Sequence, residues 1–176
     1  MIKVAVLTMS DKGSRGERED ESGRLICNMV KDISGDVVVH EIIPDEPKII
    51  EDRLRHFADD LRVDLIVTTG GTGVSPRDVT PEATKNVIEK EIPGLAEFMR
   101  AEGCKKTPRA AISRGLVGIR RGSLIVNLPG SPRGVSEGLG VILSTIPHVI
   151  EKMHGDESDC GRPAEKAAGG RGHKAG

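Results

Sequence analysis

Residues 68–84, TTGGTGVSPRDVTPEAT, combine a glycine-rich turn, an acidic side chain and a predicted helix start. The segment follows a short apolar run that predicts a buried strand. Glycines at Gly70, Gly71 and Gly73 would let backbone N–H groups approach an anion, and the dipole of the following helix favours negative charge there. Asp78 in the same loop would repel bound phosphate unless a cation lay between them. The segment therefore predicts a phosphate site that also holds a divalent metal.

A second acid, Asp45, follows another predicted strand in the sequence IPDEP. Asp45 and Asp78 would then lie at neighbouring strand ends beside the glycine turn. Two carboxylates with phosphate oxygens and water suit Mg²⁺. Taken singly, each acid has an equally good structural explanation: Asp78 as an acid favoured by a helix dipole, and Asp45 as the cap of the next helix.

Two further motifs are candidates for binding phosphate. Residues 128–132, LPGSP, predict either a plain turn into a helix or a second phosphate cradle built from Ser131 and the helix N-terminus. Ser113 and Arg114 predict either a surface turn or a positive anchor for phosphate across the crevice. The spacing alone leaves both alternatives open.

Apolar periodicity supplies the elements that would position these residues. Strands are predicted over residues 3–9, 37–43, 64–69, 116–119 and 123–128. Helices are predicted from Asp20 to a terminating Gly35, after Pro47, from an N-cap at Thr80 to about Glu91, over 95–100, and from Pro132 to an interruption at Pro147.

Strands that alternate with helices predict an α/β fold with a mainly parallel sheet and helices on both faces. Ligands of such sheets bind at the carboxyl ends of the strands. The polar loops 8–16, 44–47, 69–80 and 128–132 fall at those ends. One shared crevice is therefore expected.

Composition narrows the class of protein. The 176 residues suit a single domain, assigned to residues 1–153, followed by a tail, 154–176, that is rich in glycine, alanine and charge and is predicted to be disordered. A net charge of −1, with two Phe and no Trp or Tyr, argues against nucleic-acid binding. The three cysteines have no disulfide or zinc spacing. No signal peptide or membrane span is predicted, so we expect a cytoplasmic protein.

The motifs TTGGTG, RDVTPEAT, IPDE, ISR and LPGSP, in one chain, closely resemble those of molybdenum cofactor biosynthesis proteins. More narrowly they resemble the molybdopterin adenylyltransferases, which include the G domains of gephyrin-like proteins. The opening LTMSDKGSRGEREDESG is also similar to that of the family, and the likeness spans roughly residues 3–150.

The resemblance implies a three-layer α/β/α sandwich that assembles as a homotrimer. It implies adenylylation of molybdopterin with Mg²⁺ and ATP, release of pyrophosphate, and hand-over of the product to a molybdate-insertion protein. Asp45 and Asp78 match the acids on which the family relies, as catalytic and metal-binding residues. The implied substrate-binding residues are Ser10, Asp11, Thr69, Gly70, Gly71, Thr72, Gly73, Ser75, Ser113, Arg114, Pro129, Gly130, Ser131 and Pro132. Gly103 is a departure, because many relatives carry a serine in that segment.

Other functions are compatible with the same motifs. A non-catalytic molybdopterin-binding or scaffold protein would bind the pterin without nucleotide turnover. A molybdate-insertion subunit would normally be larger and multidomain. A nucleotide pyrophosphatase would hydrolyse ATP without any pterin.

Overall fold

A computed structural model describes residues 1–155 of the chain and contains one six-stranded sheet. The strands are β1 (Ile2–Met9), β2 (Gly35–Ile43), β3 (Leu65–Thr69), β4 (Lys90–Glu91), β5 (Val117–Arg120) and β6 (Ser123–Leu128). Their order across the sheet is β2-β1-β3-β6-β5-β4. The β1, β2, β3 and β6 strands run parallel, whereas β5 is antiparallel to both of its neighbours.

The strands are joined largely by helices. The α-helices are α1 (Asp11–Ser14), α2 (Glu21–Met29), α3 (Pro47–Arg55), α4 (Thr80–Lys85), α5 (Pro93–Cys104), α6 (Pro132–Ile142) and α7 (Ile146–Met153). Short segments extend or separate these helices. They are 3₁₀ turns at Val30–Ile33, Pro108–Ile112 and Leu143–Thr145, and a π-helical turn at His56–Asp60. As expected, Pro147 marks a break, since it lies in the first turn of α7.

Helices cover both faces of the sheet because the strand side chains alternate. On β1, Val4 and Val6 join a core with α2, α5, α6 and α7, whereas Ala5 and Leu7 join a second core with α3 and α4. The protein is thus a three-layer α/β/α sandwich around a mostly parallel sheet, which confirms the predicted fold class.

The carboxyl ends of the four parallel strands lie level with one another. Thr69 of β3 pairs with Thr8 of β1 on one side and with Leu128 of β6 on the other, and Met9 pairs with Ile43. The loops that follow these strands consequently meet at one edge of the sheet, as the sequence predicted.

Two helix ends differ from the sequence prediction. The left-handed residue after α2 and its 3₁₀ turn is Ser34, with φ of 58°, not Gly35. Gly35 instead begins β2, where a Cβ would lie 2.6 Å from the Val30 carbonyl oxygen. Close packing, not helix termination, explains this glycine.

The helix predicted from Thr80 to Glu91 is also shorter than expected. It ends at Lys85, and Lys90–Glu91 form the edge strand β4, which pairs with β5. Thr80 does not cap the helix with its side chain, because its hydroxyl donates to the carbonyl of Gly70. The helical piece predicted over 95–100 is in fact the twelve-residue α5.

Most of the predicted tail, residues 156–176, lies outside the described part of the chain. Within residues 1–155, no helix combines the length and the apolar character needed to cross a membrane.

The two phenylalanines provide a matched test of the packing. Phe57 is fully buried in the core beneath α3, whereas Phe98 on α5 is 47% exposed. We expect Phe57→Ala to lower the free energy of unfolding by roughly 3–5 kcal/mol, because it leaves a cavity. Phe98→Ala should cost less than about 1 kcal/mol. Urea unfolding of both variants checks this, and near-equal costs would contradict the assigned core.

Candidate functional site

Three loops touch backbone to backbone at Gly70. Gly70 has φ of +99° and Gly71 has φ of +64°, conformations that side chains other than glycine seldom adopt. The Gly70 N–H donates to the Leu128 carbonyl at 3.2 Å, and a Cβ at Gly70 would collide with the carbonyl oxygen of Met9. Gly130 is equally close, since a Cβ there would lie 3.2 Å from the Gly70 Cα.

Two buried threonines hold this turn in place. The Thr69 hydroxyl donates to the Pro129 carbonyl at 2.7 Å, which ties the end of β3 to the loop after β6. The Thr80 hydroxyl donates to the Gly70 carbonyl at 3.0 Å, and its N–H donates to the Gly71 carbonyl at 3.1 Å. The glycine turn is therefore fixed at both ends.

Asp45 is not the cap of the following helix. The N-cap of α3 is Glu46, whose side chain makes no capping bond. The Asp45 carboxylate instead accepts the Asp11 N–H at 3.1 Å, and the Asp11 carboxylate accepts the Asp45 N–H at 3.0 Å. The helix-cap explanation of Asp45 is wrong, and the reciprocal pair joins the loop after β1 to the loop after β2.

The two members of this pair have opposite electrostatic surroundings. Burial raises the pKa of Asp45, and the charges of Asp11 and Asp78 add to the rise, although the hydrogen bond from Asp11 opposes it. Hydrogen bonds from Arg77 hold the pKa of Asp11 below its usual value. The positive charge of Arg77 acts on Asp45 only through space, whereas Asp11 is bonded to Arg77 directly and is already neutralised.

Asp78 lies on the other side of the glycine turn. Its carboxylate accepts the Ser75 N–H at 2.8 Å, and it would lie 2.8 Å from a Cβ at Gly73. The Asp45 carboxylate would lie 3.1 Å from a Cβ at Gly71. The structure thus brings both acids against the same turn, as the sequence predicted.

The side chain of Arg114 faces away from the crevice. Its guanidinium donates to the carbonyls of Gly73 and Asp78, both at 2.6 Å, and pairs with Glu82 on α4. Its backbone N–H donates to the Thr72 carbonyl at 2.8 Å. This geometry gives Arg114 the role of holding the loop after β3, while Ser113 lines the crevice.

Two cavities open at this edge of the sheet, with volumes of about 620 and 580 Å³. They meet at a ridge formed by Gly71, Asp78, Gly130 and Ser131, which line both. We call them the apolar cavity and the polar cavity. Thr72 and Gly73 line the first, and Thr69, Gly70, Ser10, Asp11 and Asp45 line the second. Ser75 lines neither.

The apolar cavity lies between α5, the turn that follows it and the start of α6. Its walls include Ala96, Met99, Ala110 and Ile112. Gly103 lies in the same wall, where a Cβ would be 2.8 Å from that of Ala110. A serine at this position would force α5 and the turn that follows it apart. The glycine therefore allows these two segments to pack more closely in the cavity wall.

The polar cavity contains a buried acid, Asp20, whose side chain is only 6% exposed. Asp20 caps α2 through the Gly23 N–H and accepts hydrogen bonds from Thr8 and His40, both at 2.7 Å. Burial alone would raise the pKa of Asp20, but these hydrogen bonds outweigh it and lower the pKa. Asp20 is therefore an ionised, internally satisfied part of the cavity wall.

The LPGSP segment forms the start of α6. Ser131 is the N-cap, its hydroxyl accepting the Gly134 N–H at 3.1 Å, and Pro132 is the first helical residue. Pro129 and Gly130 lie between β6 and this cap, and Pro132 also lines the polar cavity. Gly130 and Ser131 line both cavities, so the start of α6 lies between them. Because Pro132 has no N–H and the Ser131 hydroxyl accepts that of Gly134, the first turn of α6 has few free N–H groups.

Two carboxylates on separate loops fit a magnesium ion that takes its remaining ligands from phosphate and water. Within residues 1–155, no group of three His, Cys, Asp or Glu residues is placed to hold a metal. A site formed by Asp45 and Asp78 would therefore depend on phosphate oxygens of a bound substrate. The raised pKa of Asp45 is consistent with a position that a cation would stabilise.

Several residues at the crevice were missed by the sequence interpretation. Arg77 was treated only as the residue before Asp78, and Glu46 only as punctuation. Arg100, Arg109, Arg133 and Glu137 line the apolar cavity, and Lys12 and Arg18 line the polar one. The sequence predicts Asp20 only as the start of a helix, whereas the structure also places it in the wall of the polar cavity.

Comparison with known protein families matches residues 5–148 to a family described as the probable molybdopterin binding domain. The chain belongs to this molybdopterin-binding domain family. The resemblance inferred from the motifs is thereby confirmed.

Individual members of the molybdopterin-binding domain family are similar to the chain over most of its length. It is 42% identical to the molybdopterin adenylyltransferase of Helicobacter pylori J99 over 157 residues, 88% of this chain and 89% of the relative. The Escherichia coli K12 molybdopterin adenylyltransferase is 34% identical, covering 88% and 86%. The crystal structure of the molybdopterin biosynthesis enzyme MoaB from Thermus thermophilus is 48% identical, with a TM-score of 0.84 over 88% and 98%.

The pKa of Asp45 predicts how its removal changes stability. A raised pKa means that ionising Asp45 destabilises the folded state, so this loss grows as the pH rises through the folded pKa. Measured in EDTA, Asp45→Asn should melt above the wild type at pH 7. The two should converge below about pH 4, where the carboxyl is protonated in both states.

Asp11→Asn is the matched control, with the opposite sign. The pKa of Asp11 is lowered, so its contribution to stability is present above the unfolded pKa and is lost as the pH falls. That variant should melt slightly below the wild type at pH 7, by a small margin because solvent screens the exposed pair with Arg77. A lower melting temperature for Asp45→Asn under the same conditions would refute the electrostatic assignment.

The glycine turn can be tested with two substitutions at positive φ. Gly71→Ala strains the backbone and also drives a Cβ against the Thr80 hydroxyl and the Asp45 carboxylate, whereas a Cβ at Gly16, with φ of +74°, meets no neighbouring atom within 4 Å. Gly16→Ala should cost roughly 1 kcal/mol from strain alone. Gly71→Ala should cost more and also distort the crevice. Equal losses in urea unfolding would argue against close packing at Gly71.

Proposed function

We propose that the chain is a molybdopterin adenylyltransferase of molybdenum cofactor biosynthesis. It transfers the adenylyl group of Mg²⁺-bound ATP to the terminal phosphate of molybdopterin and releases pyrophosphate. The observation that carries the proposal is the meeting of two cavities at the ridge of Gly71, Asp78, Gly130 and Ser131. Two substrates that exchange one group need adjoining sites, and relatives at 34–42% identity bear this enzyme name.

Each cavity suits one substrate. The apolar cavity offers aliphatic walls for a flat pterin ring, and the ridge at its end offers backbone N–H groups for the terminal phosphate. The polar cavity contains Asp45, Lys12 and Arg18, which suit a triphosphate accompanied by a cation. With this assignment the two phosphates would meet at the ridge.

The reaction forms one bond and breaks one. An oxygen of the molybdopterin phosphate attacks the α-phosphorus of ATP, and the bond from that phosphorus to the oxygen bridging to the β-phosphate breaks. The electron pair leaves with pyrophosphate. The nucleophile is already an anion, so no side chain needs to remove a proton, and catalysis rests on positioning and charge.

The chain's own residues supply that positioning. The glycine turn and the start of α6 line both cavities and let the phosphates approach the backbone without bulky side chains between them. Asp45 and Asp78 would hold Mg²⁺ from opposite sides of the turn. When bound, the metal neutralises phosphate charge and favours departure of pyrophosphate.

The assembly and surroundings of the enzyme are part of the same proposal. The family resemblance favours a homotrimer, a cytoplasmic location and transfer of the adenylylated product to a molybdate-insertion protein. Light scattering of the purified protein tests the trimer directly.

The activity is tested by incubating the protein with molybdopterin and Mg-ATP and analysing adenylylated molybdopterin and pyrophosphate by mass spectrometry. We expect product only when both substrates and Mg²⁺ are present. Pterin binding without product would establish the scaffold alternative instead. Nucleotide hydrolysis without pterin would establish a pyrophosphatase.

We expect Asp78→Asn and Asp45→Asn each to lower adenylyl transfer by roughly 10²-fold or more, because each removes a charge beside the reacting phosphates. Asp52→Asn is the matched control, since Asp52 is exposed on α3 and pairs with Lys48 on the surface. It should leave the rate within a few-fold. Wild-type turnover in either crevice variant would remove that acid from the site.

A further inference from the structure

Arg77 joins the three loops that follow β1, β2 and β3. From the last of these, its guanidinium donates to both oxygens of Asp11, at 2.9 to 3.1 Å, and to Glu46 at 2.9 Å. Asp11 in turn holds Asp45 through their reciprocal backbone bonds. One side chain therefore braces the segment that carries Asp45 against the segment that carries Asp78.

Stability does not account for this arrangement. Arg77 is 53% exposed, and ion pairs at that exposure contribute little to the free energy of unfolding, because solvent screens them. The positive charge of Arg77 affects the ionisation of the nearby acids more than it affects stability, since Asp11, Asp45 and Asp78 lie around one turn. Of these three, Asp11 is ion-paired, whereas Asp45 and Asp78 form no ion pair with any residue in the range 1–155.

We propose that Arg77 is a positioning residue that directs the divalent cation to Asp45 and Asp78 by occupying Asp11 and Glu46. A cation entering the crevice meets four carboxylates on three loops, and Arg77 neutralises the two that lie farther from the glycine turn. Without Arg77, Asp11 and Glu46 become ligands that compete for the metal. The cation then binds more tightly but in the wrong place for the phosphates.

This inference rests on the proposed function for its catalytic consequence, but the cation binding that it predicts can be measured without turnover. The probe is Mn²⁺, titrated into the substrate-free protein and followed by electron paramagnetic resonance. The variants are Arg77→Met, which removes the charge, and Arg77→Lys, which keeps the charge and loses the two-pronged contact. Arg53→Met is the control, because Arg53 forms a similar half-exposed pair with Glu41 away from the crevice.

We expect Arg77→Met to bind Mn²⁺ about 3-fold or more tightly than the wild type, because loss of a nearby positive charge removes repulsion that a divalent ion meets even in water. Its adenylyl transfer should fall by at least about 10-fold, through kcat, with a melting temperature within about 3 °C of the wild type. Arg77→Lys should restore the wild-type Mn²⁺ affinity and part of the rate. Arg53→Met should change neither quantity.

Mn²⁺ affinity that is unchanged or weaker in Arg77→Met overturns the proposal, as does wild-type turnover in that variant. Tighter Mn²⁺ binding by the Lys variant, equal to that of the Met variant, also overturns it, because charge would then not be the cause. A wild-type protein that makes no adenylylated product refutes the proposed function instead. The Mn²⁺ comparison remains interpretable in that case.

Discussion

The close approach of three backbones at Gly70 is the constraint on which the crevice depends. The loops after β1, β3 and β6 come together there with no room for a Cβ, and Thr69 and Thr80 fix the contact through buried hydroxyls. This crossing sets the ridge between the two cavities. It also places Asp45 and Asp78 on either side of the glycine turn, so the position of these acids depends on the packing at the edge of the sheet.

Several carboxylates lie close together around the crevice, and only some of them are neutralised by an ion pair. Arg77 forms ion pairs with Asp11 and Glu46, and Arg114 forms one with Glu82. Asp45, in contrast, is half-buried and has a raised pKa. A protein selected for stability alone would not retain an ionised, partly buried carboxylate beside two other acids. Under the proposed function, Asp45 is a position at which stability is given up for binding a cation beside a phosphate-bearing substrate.

Five of the six strands, both helical layers, the meeting of four loops and the position of the two acids could be predicted, because apolar periodicity and glycine or proline punctuation are local signals. The edge strand β4 lies where the sequence predicted a helix. The prediction failed where the deciding contact joins residues of two different structural elements. Thr80 was expected to cap a helix, but its hydroxyl donates a hydrogen bond to the Gly70 carbonyl. The sequence left open whether Arg114 faces the phosphate, and three acceptors on the loop after β3 and on α4 hold its guanidinium instead. Arg77 contacts residues 31 and 66 positions away, and Gly103 packs against Ala110, 7 positions away. No periodicity in the sequence encodes either contact.

The central claim is that the two cavities hold two substrates at the same time, with their phosphates meeting at the ridge. Calorimetric titration of molybdopterin into protein saturated with a Mg-ATP analogue whose α–β phosphate bridge cannot be cleaved tests it most directly. We predict that molybdopterin binds the saturated protein with one site per chain and an affinity within about 10-fold of that for the free protein. Mutually exclusive binding, in which each ligand displaces the other, would show that the two cavities serve a single site and would contradict the account.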